Sequence, residues 1–306
     1  MIHVIGNAAV DSVIRVERFP RPGETIVALG ASEDLGGKGA NQAVVAARCG
    51  APVRLVAPIG DDAAGERIRS SLDREGVQTD GVAASAYGTD RCVVTVDRHG
   101  ENMILSLIDA ACHFNPIAET RIESWIRPGD LVVMQGNLRP SVTRDCLTLA
   151  KSKGATTVLN PSPTYAAQDY DWTLVDVALV NRGEAVELAG GEAEEAAGAL
   201  CKWGAGAVVL TLGADGAVFF SADDTFRIAA PQVIAIDTVG AGDVFCGVLT
   251  AAKALGRSWR EALAAAVDAA SISVTRKGVL ASFPSRKEMA GILERAPLGR
   301  LEENEQ

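Results

Sequence analysis

Several familiar chemistries are missing from this 306-residue chain. None of its six cysteines (Cys49, Cys92, Cys112, Cys146, Cys201, Cys246) forms a C-x-x-C pair. Scattered thiols without that spacing fit a reducing compartment, not a disulfide scaffold. The three histidines, His3, His99 and His113, have no metal-like spacing and no cysteine or carboxylate cluster beside them. A serine-hydrolase reading lacks its G-x-S-x-G. Basic residues are in deficit, 29 Lys and Arg against 39 Asp and Glu, for a formal net charge of −10. An acidic surface of this kind argues against nucleic-acid and membrane-surface partners, although a locally positive site could still take an anion. No apolar segment reaches transmembrane length without charges or glycines. The opening Met1-Ile2-His3-Val4-Ile5-Gly6 has no charged region ahead of a long apolar run. The expectation is a soluble, cytoplasmic protein.

What is present is an apolar chain, 48% hydrophobic, long enough for one large domain with a small appendage. Short apolar runs predict strands at Ile2–Gly6, Val53–Ala57, Leu131–Met134, Thr156–Asn160, Val177–Val180 and Val208–Thr211. Amphipathic stretches such as Gly65–Arg74, Val142–Lys153 and Glu192–Trp203 lie between them. Continuous apolar strands alternating with helices predict an α/β domain: a mostly parallel sheet covered on both faces. Two segments break this alternation. Ser12–Val16 and Thr25–Leu29 flank Phe19-Pro20-Arg21-Pro22-Gly23, and Cys92–Asp97 and Asn102–Leu107 flank Arg98-His99-Gly100-Glu101. Both read as β-hairpins. They could form a separate small sheet, as a lid or a dimer contact, or extend an edge of the main sheet.

The most specific stretch is Asp237-Thr238-Val239-Gly240-Ala241-Gly242-Asp243, which runs into the apolar segment Val244–Ala254. A glycine-rich turn opening a helix exposes unsatisfied N–H groups at the positive end of the dipole, a site for an anion. Asp243 adds a carboxylate at the same place. A phosphate site with a base beside it suits phosphoryl transfer to a hydroxyl. The alternative is a tight turn capped by Asp243. Gly36-Gly37-Lys38-Gly39-Ala40-Asn41 is not a Walker loop, because Gly39 follows Lys38 where that motif needs Ser or Thr. Its glycines permit close backbone approach, and Lys38 and Asn41 can donate to a polyhydroxy ligand; a plain loop into the helix Ala40–Arg48 is the other reading.

Asn7 and Asp11 follow the first strand, where open α/β sheets place ligands. Asp11 can accept from two sugar hydroxyls, or serve as a turn residue. Asn181-Arg182-Gly183-Glu184 also follows a strand; the amide and carboxylate could meet a magnesium hydration shell or cap a helix. Thr211-Leu212-Gly213-Ala214-Asp215-Gly216 ends a strand in a turn that could bind nucleotide phosphates or form a hairpin. Thr275-Arg276-Lys277-Gly278 reads as an ordinary helix C-terminus.

Together these motifs resemble the ribokinase-like family of carbohydrate kinases, also called the phosphofructokinase-B family, from about residue 2 to about 295. The N-terminal signature is Gly36-Gly37-Lys38-Gly39-Ala40-Asn41-Gln42-Ala43, and the C-terminal one is Asp237 to Phe245. The charged stretch 298–306 reads as a frayed tail. The resemblance implies a doubly wound α/β domain (1–11, 35–86 and 108–297) and a β-lid made by the hairpins (12–34 and 87–107). It implies transfer of the ATP γ-phosphoryl to a sugar hydroxymethyl group, with ribose or a related pentose first. Asp243 would be the base, and the N–H groups of Gly240, Ala241, Gly242 and Asp243 the anion hole. Asn7, Asp11, Gly37, Lys38 and Asn41 would hold the sugar. Thr211, Gly213 and Gly242 would meet the nucleotide, and Asn181 and Glu184 would organise Mg2+ through water. A monovalent cation, K+, would lie among Asp237, Val239, Ser273, Arg276, Gly278 and Ser282. The resemblance also implies a homodimer through the lid.

One position departs from the family's ribose-specific members, which carry a glutamate after Met-Gln. Here the run is Met134-Gln135-Gly136-Asn137-Leu138, so Asn137 or a neighbour takes that place. An amide donates as well as accepts and carries no charge. A ketose, a nucleoside or a sugar acid is therefore the alternative substrate. A sugar-binding regulator without catalysis is the alternative from another class. A dinucleotide-dependent dehydrogenase is excluded, because Gly6-Asn7-Ala8-Ala9-Val10 lacks G-x-G-x-x-G.

Overall fold

A computed structural model describes residues 1–99, 101–164 and 170–295. The expected tail, 298–306, lies outside the described residues. In chain order the strands are β1 (Ile2–Ile5), β2 (Ala9–Arg15), β3 (Gly30–Gly36), β4 (Val53–Gly60), β5 (Gln78–Ser85), β6 (Asp90–Val96) and β7 (Asn102–Leu107). Then follow β8 (Leu131–Gln135), β9 (Thr156–Asn160), β10 (Val177–Asn181), β11 (Ala207–Thr211), β12 (Ala217–Ser221) and β13 (Thr225–Ile228). The helices are α1 (Lys38–Arg48), α2 (Ala63–Arg74), α3 (Asp109–His113), α4 (Pro116–Glu119), α5 (Ile122–Trp125) and α6 (Pro140–Ser152). The rest are α7 (Arg182–Ala189), α8 (Ala193–Lys202), α9 (Ala241–Ala254), α10 (Trp259–Ser273) and α11 (Arg286–Arg295).

The main sheet has nine strands in the order β13-β12-β11-β10-β9-β8-β1-β4-β5. All pairs from β11 through β5 are parallel, and only the β11–β12 and β12–β13 pairs are antiparallel. All six strands expected from the apolar runs are present. β5, β12 and β13 are additional: they lie at the sheet's two edges, where half-exposed strands lose the continuous apolar signal. Side chains alternate across β1, so Ile2 and Val4 join one core layer and Ile5 the other. The first layer is closed by α1, α2, α9, α10 and α11, the second by α6 and α8 with the short helices α3 and α5. The doubly wound arrangement is thus present. β1 has β4 on one side and β8 on the other, so the direction of winding reverses between β1 and β8. That reversal opens a crevice beyond the strands' carboxyl ends.

β2, β3, β6 and β7 form a separate four-stranded sheet, order β3-β2-β6-β7, and this is the lid rather than an edge extension. The second hairpin forms as expected, Cys92 pairing with Ser106 and Val94 with Ile104. The first needs a correction. The strand expected at Thr25–Leu29 is instead β3, at 30–36, with Arg15 opposite Gly30 and Ala9 opposite Gly36. β2 begins at Ala9, immediately after the crevice, so its seven-residue partner must end at Gly36. The polar run Ala31-Ser32-Glu33-Asp34 pairs despite its composition, because pairing is set by position and not by propensity.

Candidate active site

The glycine-rich stretch before α9 folds as a tight turn that opens the helix. Gly240 is the helix N-cap at φ 79°, a left-handed conformation suited to glycine. A Cβ there would also crowd the Phe283 ring at 3.0 Å. Asp243 follows in the first turn, buried, with 6% of its surface exposed. Both of its oxygens accept a hydrogen bond from α1. Asn41 Nδ2 donates to Oδ2 at 3.0 Å, and Gln42 Nε2 donates to Oδ1 at 3.1 Å. Gln42 Oε1 in turn accepts from Gln135 Nε2 at 2.8 Å, and Gln42 Nε2 also reaches Asn160 Oδ1 at 3.3 Å. The two helices come this close because of Gly247, one turn after Asp243. A Cβ at Gly247 would meet Val45 Cβ at 2.6 Å and the Gln42 carbonyl at 2.8 Å.

A cavity of about 230 Å³ lies between this turn and the lid. Asn7, Asp11, Gly37, Lys38, Asn41, Asn137, Gly240 and Asp243 all line it, so every residue expected at the sugar is brought together. Gly37 has φ 88° and packs its Cα against the Ala8–Ala9 backbone. Asn7 ties this corner to α1, its carbonyl accepting from Ala40 N and its Oδ1 from Gly39 N. Asp11 lies over Gly36, where a Cβ would sit 2.0 Å from its Oδ1. Burial, then the nearby charges of Asp243 and Asp34, push the Asp11 carboxyl up to about 6. Asn41 Oδ1 and Asn137 Oδ1 are buried without a hydrogen-bond partner. The cavity is therefore rich in acceptors, with Lys38 and Arg91 as its cationic residues.

A second cavity, about 320 Å³ and mostly apolar, meets the first at the α9 turn. Thr211, Gly213, Ala241 and Gly242 line it, with Val233, Val267 and Val274 among its apolar walls. Gly213 opens a single 3₁₀ turn at φ 63°, and Leu212 N donates to Gly216 O as β11 turns back into β12. The segment is a hairpin, and its turn borders the cavity. Asn181 and Glu184 line neither cavity. They form a reciprocal capping box on α7, Glu184 N donating to Asn181 Oδ1 at 2.8 Å and Asn181 N to Glu184 Oε2 at 2.9 Å. Asn181 sits beside Thr211 in the β10–β11 register, at the second cavity's edge of the sheet.

The two loops expected around a cation are joined through Asp237. Its Oδ1 accepts from Val239 N at 3.0 Å and its Oδ2 from Gly278 N at 3.1 Å. Ile236 N also donates to Val274 O at 2.7 Å. Ser273 and Ser282 are buried, their hydroxyls donating to the carbonyls of Ala270 and Val279. The Arg276 side chain turns away to pair with Glu288 at 2.5 Å.

With this geometry in view, the sequence profile of the pfkB family carbohydrate kinases matches residues 1–286. The chain belongs to that family. It is a sugar kinase with the ribokinase-like fold. It is 36% identical to the ribokinase of Haemophilus influenzae over 301 residues, covering 96% of this chain and 98% of that protein. The ribokinase of Thermotoga maritima superposes with a TM-score of 0.88 at 27% identity, covering 96% of this chain and 99% of that one. The Arabidopsis thaliana ribokinase solved with ribose and ATP gives 0.82 at 27% identity, covering 96% and 98%.

Several residues of this kinase were not legible as site residues. Gln42 lay inside a recognised motif, but its hydrogen bond to Asp243 spans 201 positions. Asp90, Cys92 and Ser106 line the sugar-side cavity from the lid. Asp90 is buried and accepts from Ala110 N and Ala111 N, fixing the start of α3. Burial pushes its carboxyl up to about 6 against those two bonds. Nothing short of the lid's strand register could have found these residues. Among the described residues, no helix is long and apolar enough to cross a membrane.

Proposed function

We propose that the protein transfers the γ-phosphoryl of ATP to a hydroxymethyl group of a sugar, ribose or a related pentose first, with Asp243 as the catalytic base. The observation that carries this reading is the position of Asp243. It lies in the first turn of α9, lines the sugar-side cavity, and borders the N–H groups of a left-handed glycine turn. In the reaction the sugar oxygen bonds to the γ-phosphorus as the bond to the β–γ bridging oxygen breaks. The hydroxyl proton passes to Asp243, and ADP leaves. Asn41 and Gln42 aim the carboxylate, each donating to one of its oxygens. The N–H groups of Gly240, Ala241, Gly242 and Asp243 stabilise charge on the transferring group.

Asn7, Asp11, Gly37, Lys38, Asn41 and Asn137 would hold the sugar, and Thr211, Gly213 and Gly242 the nucleotide phosphates. The acceptor-rich cavity favours a ligand with many hydroxyl donors. Its amide at Asn137 leaves a ketose or a sugar acid as the second reading. The lid, β2, β3, β6 and β7, would close over the sugar and exclude water.

Mg2+ bound with ATP would supply charge neutralisation of the phosphates. Glu184 suits it through water: Oε2 serves the capping box, and Oε1 has no donor among the described residues. The donor set near Asp237 also fits a large, weakly hydrated cation such as K+. Its carboxylate keeps free lone pairs after two N–H bonds, and the Ser273 and Ser282 hydroxyls donate away and leave theirs open. Arg276 would contribute by its backbone, since its guanidinium is engaged by Glu288. The protein would act as a homodimer in the cytoplasm.

The test is ADP release from ATP and Mg2+ with a panel of pentoses, hexoses and nucleosides. One or more sugars should drive turnover in the wild type, and Asp243→Asn should lower kcat by a factor on the order of 10² to 10⁴. A variant keeping more than about a tenth of kcat would remove Asp243 from the role of base.

A further inference from the structure

The lid contributes a polar row to the sugar-side cavity. Asp11 on β2 stands opposite Cys92 on β6, and Cys92 stands opposite Ser106 on β7. Directly paired residues point to the same face of a sheet, and all three line the cavity. The Ser106 hydroxyl has one protein partner there, the Cys92 sulfur at 3.8 Å. A thioether-like or thiol sulfur is a weak acceptor, so this hydroxyl remains available to a ligand. Among the described residues, none that line the cavity is aromatic, so they offer no ring face on which a nucleobase could stack.

We infer that Ser106 is a specificity-determining residue that reads a sugar hydroxyl two strands away from the one held by Asp11. This rests on the kinase reading above and names the substrate class more closely: a free sugar, not a nucleoside, with one hydroxyl at Asp11 and another at Ser106. The spacing supports the choice. Two strand separations place the Asp11 and Ser106 backbones about 10 Å apart, so the carboxylate and the hydroxyl reach the cavity from either side of Cys92 and meet different hydroxyls of one sugar. Cys92, between them, faces the carbon skeleton, where a soft, weakly polar sulfur costs little.

The experiment measures kcat/KM for D-ribose, D-fructose and their single-deoxy analogues with wild type, Ser106→Ala and Ser106→Thr. In the wild type, one deoxy analogue should be disfavoured against its parent sugar. Ser106→Ala should lower kcat/KM for that parent by roughly tenfold, yet change the analogue by less than about twofold, so that the ratio collapses. Ser106→Thr keeps a hydroxyl on a β-branched strand residue and should keep the ratio. A uniform loss for every sugar in Ser106→Ala, or no loss, would overturn the inference while leaving the kinase reading intact. Turnover of nucleosides in preference to sugars would overturn it too. No turnover with any sugar would remove the kinase reading itself, and this inference with it.

Discussion

Gln42 Nε2 donates to Asp243 Oδ1 at 3.1 Å, and the Gln42 carbonyl oxygen lies where a side chain at Gly247 would have to be. One residue of α1 thus sets both the orientation of the carboxylate and the closeness of the helix that carries it. Replacing Gln42 with alanine leaves Asp243 Oδ1 and Gln135 Nε2 without their partners. A buried polar group left unpaired costs about 1–3 kcal/mol. Gln42→Ala should lower both the melting temperature and kcat, the latter by roughly ten- to a hundredfold. Gln42→Glu, which sets a carboxylate against Asp243, should be worse. Unchanged kcat in Gln42→Ala would show that Asn41 alone aims the base.

Asp11 is predicted to trade stability for sugar affinity. Its carboxyl titrates at about 6 in the fold, against 3.8 for an unperturbed aspartate. The folded state therefore binds the proton more tightly, and the associated stability is present below about 4 and lost as pH rises through about 6. Asp11→Asn removes that loss. It should be the more stable protein at pH 8, by about 1–3 kcal/mol, with the gap closing at pH 4. Thermal melts of both proteins at the two pH values check this; a gap independent of pH would count against it. The same change should raise KM for the sugar about tenfold with little effect on ATP, since a charged hydrogen bond is worth about 1.5–3 kcal/mol. Wild-type KM for the sugar should also rise as pH falls below about 6, where Asp11 becomes neutral.

Activity should depend on a monovalent cation, with K+ better than Na+. The carboxylate of Asp237 joins the loop before the anion-hole turn to the one at Gly278, so an ion there would order that turn. Rates in K+, Na+ and a bulky organic cation at matched ionic strength measure the effect. Asp237→Asn should abolish the difference between K+ and the organic cation. Equal wild-type rates in all three salts would dispose of the cation site.

The lid leaves large apolar side chains in solvent, with Leu29 67%, Leu105 64% and Leu107 58% exposed. Leu105 pairs with Val93, one residue out of phase with the cavity-facing row, and so lies on the lid's other face. A second copy of this surface would cover it. Light scattering at low micromolar concentration should give a particle of twice 31.8 kDa, and Leu105→Lys should shift it toward the monomer. A wild-type particle of 31.8 kDa would refute the dimer.

The sequence alone determined the class of fold and marked the candidate reacting groups. Buried parallel strands must be apolar on both faces, so the six central strands announce themselves. Gly240-Ala241-Gly242-Asp243 and Gly36-Gly37-Lys38 carry local features that depend on a few neighbouring residues, and residues of both signatures line one cavity. Only the tertiary structure decided what joins them. The Asp243–Gln42–Gln135 chain runs through three elements that meet only once α9 packs on α1. The Asp11–Cys92–Ser106 row exists only because β2 and β6 pair in one register, and that register moved β3 to 30–36 from the 25–29 its composition suggested. Local backbone chemistry is written in consecutive residues. Cross-strand neighbours and helix–helix contacts are fixed by packing between distant segments, and a single sequence carries no mark of which of them will meet.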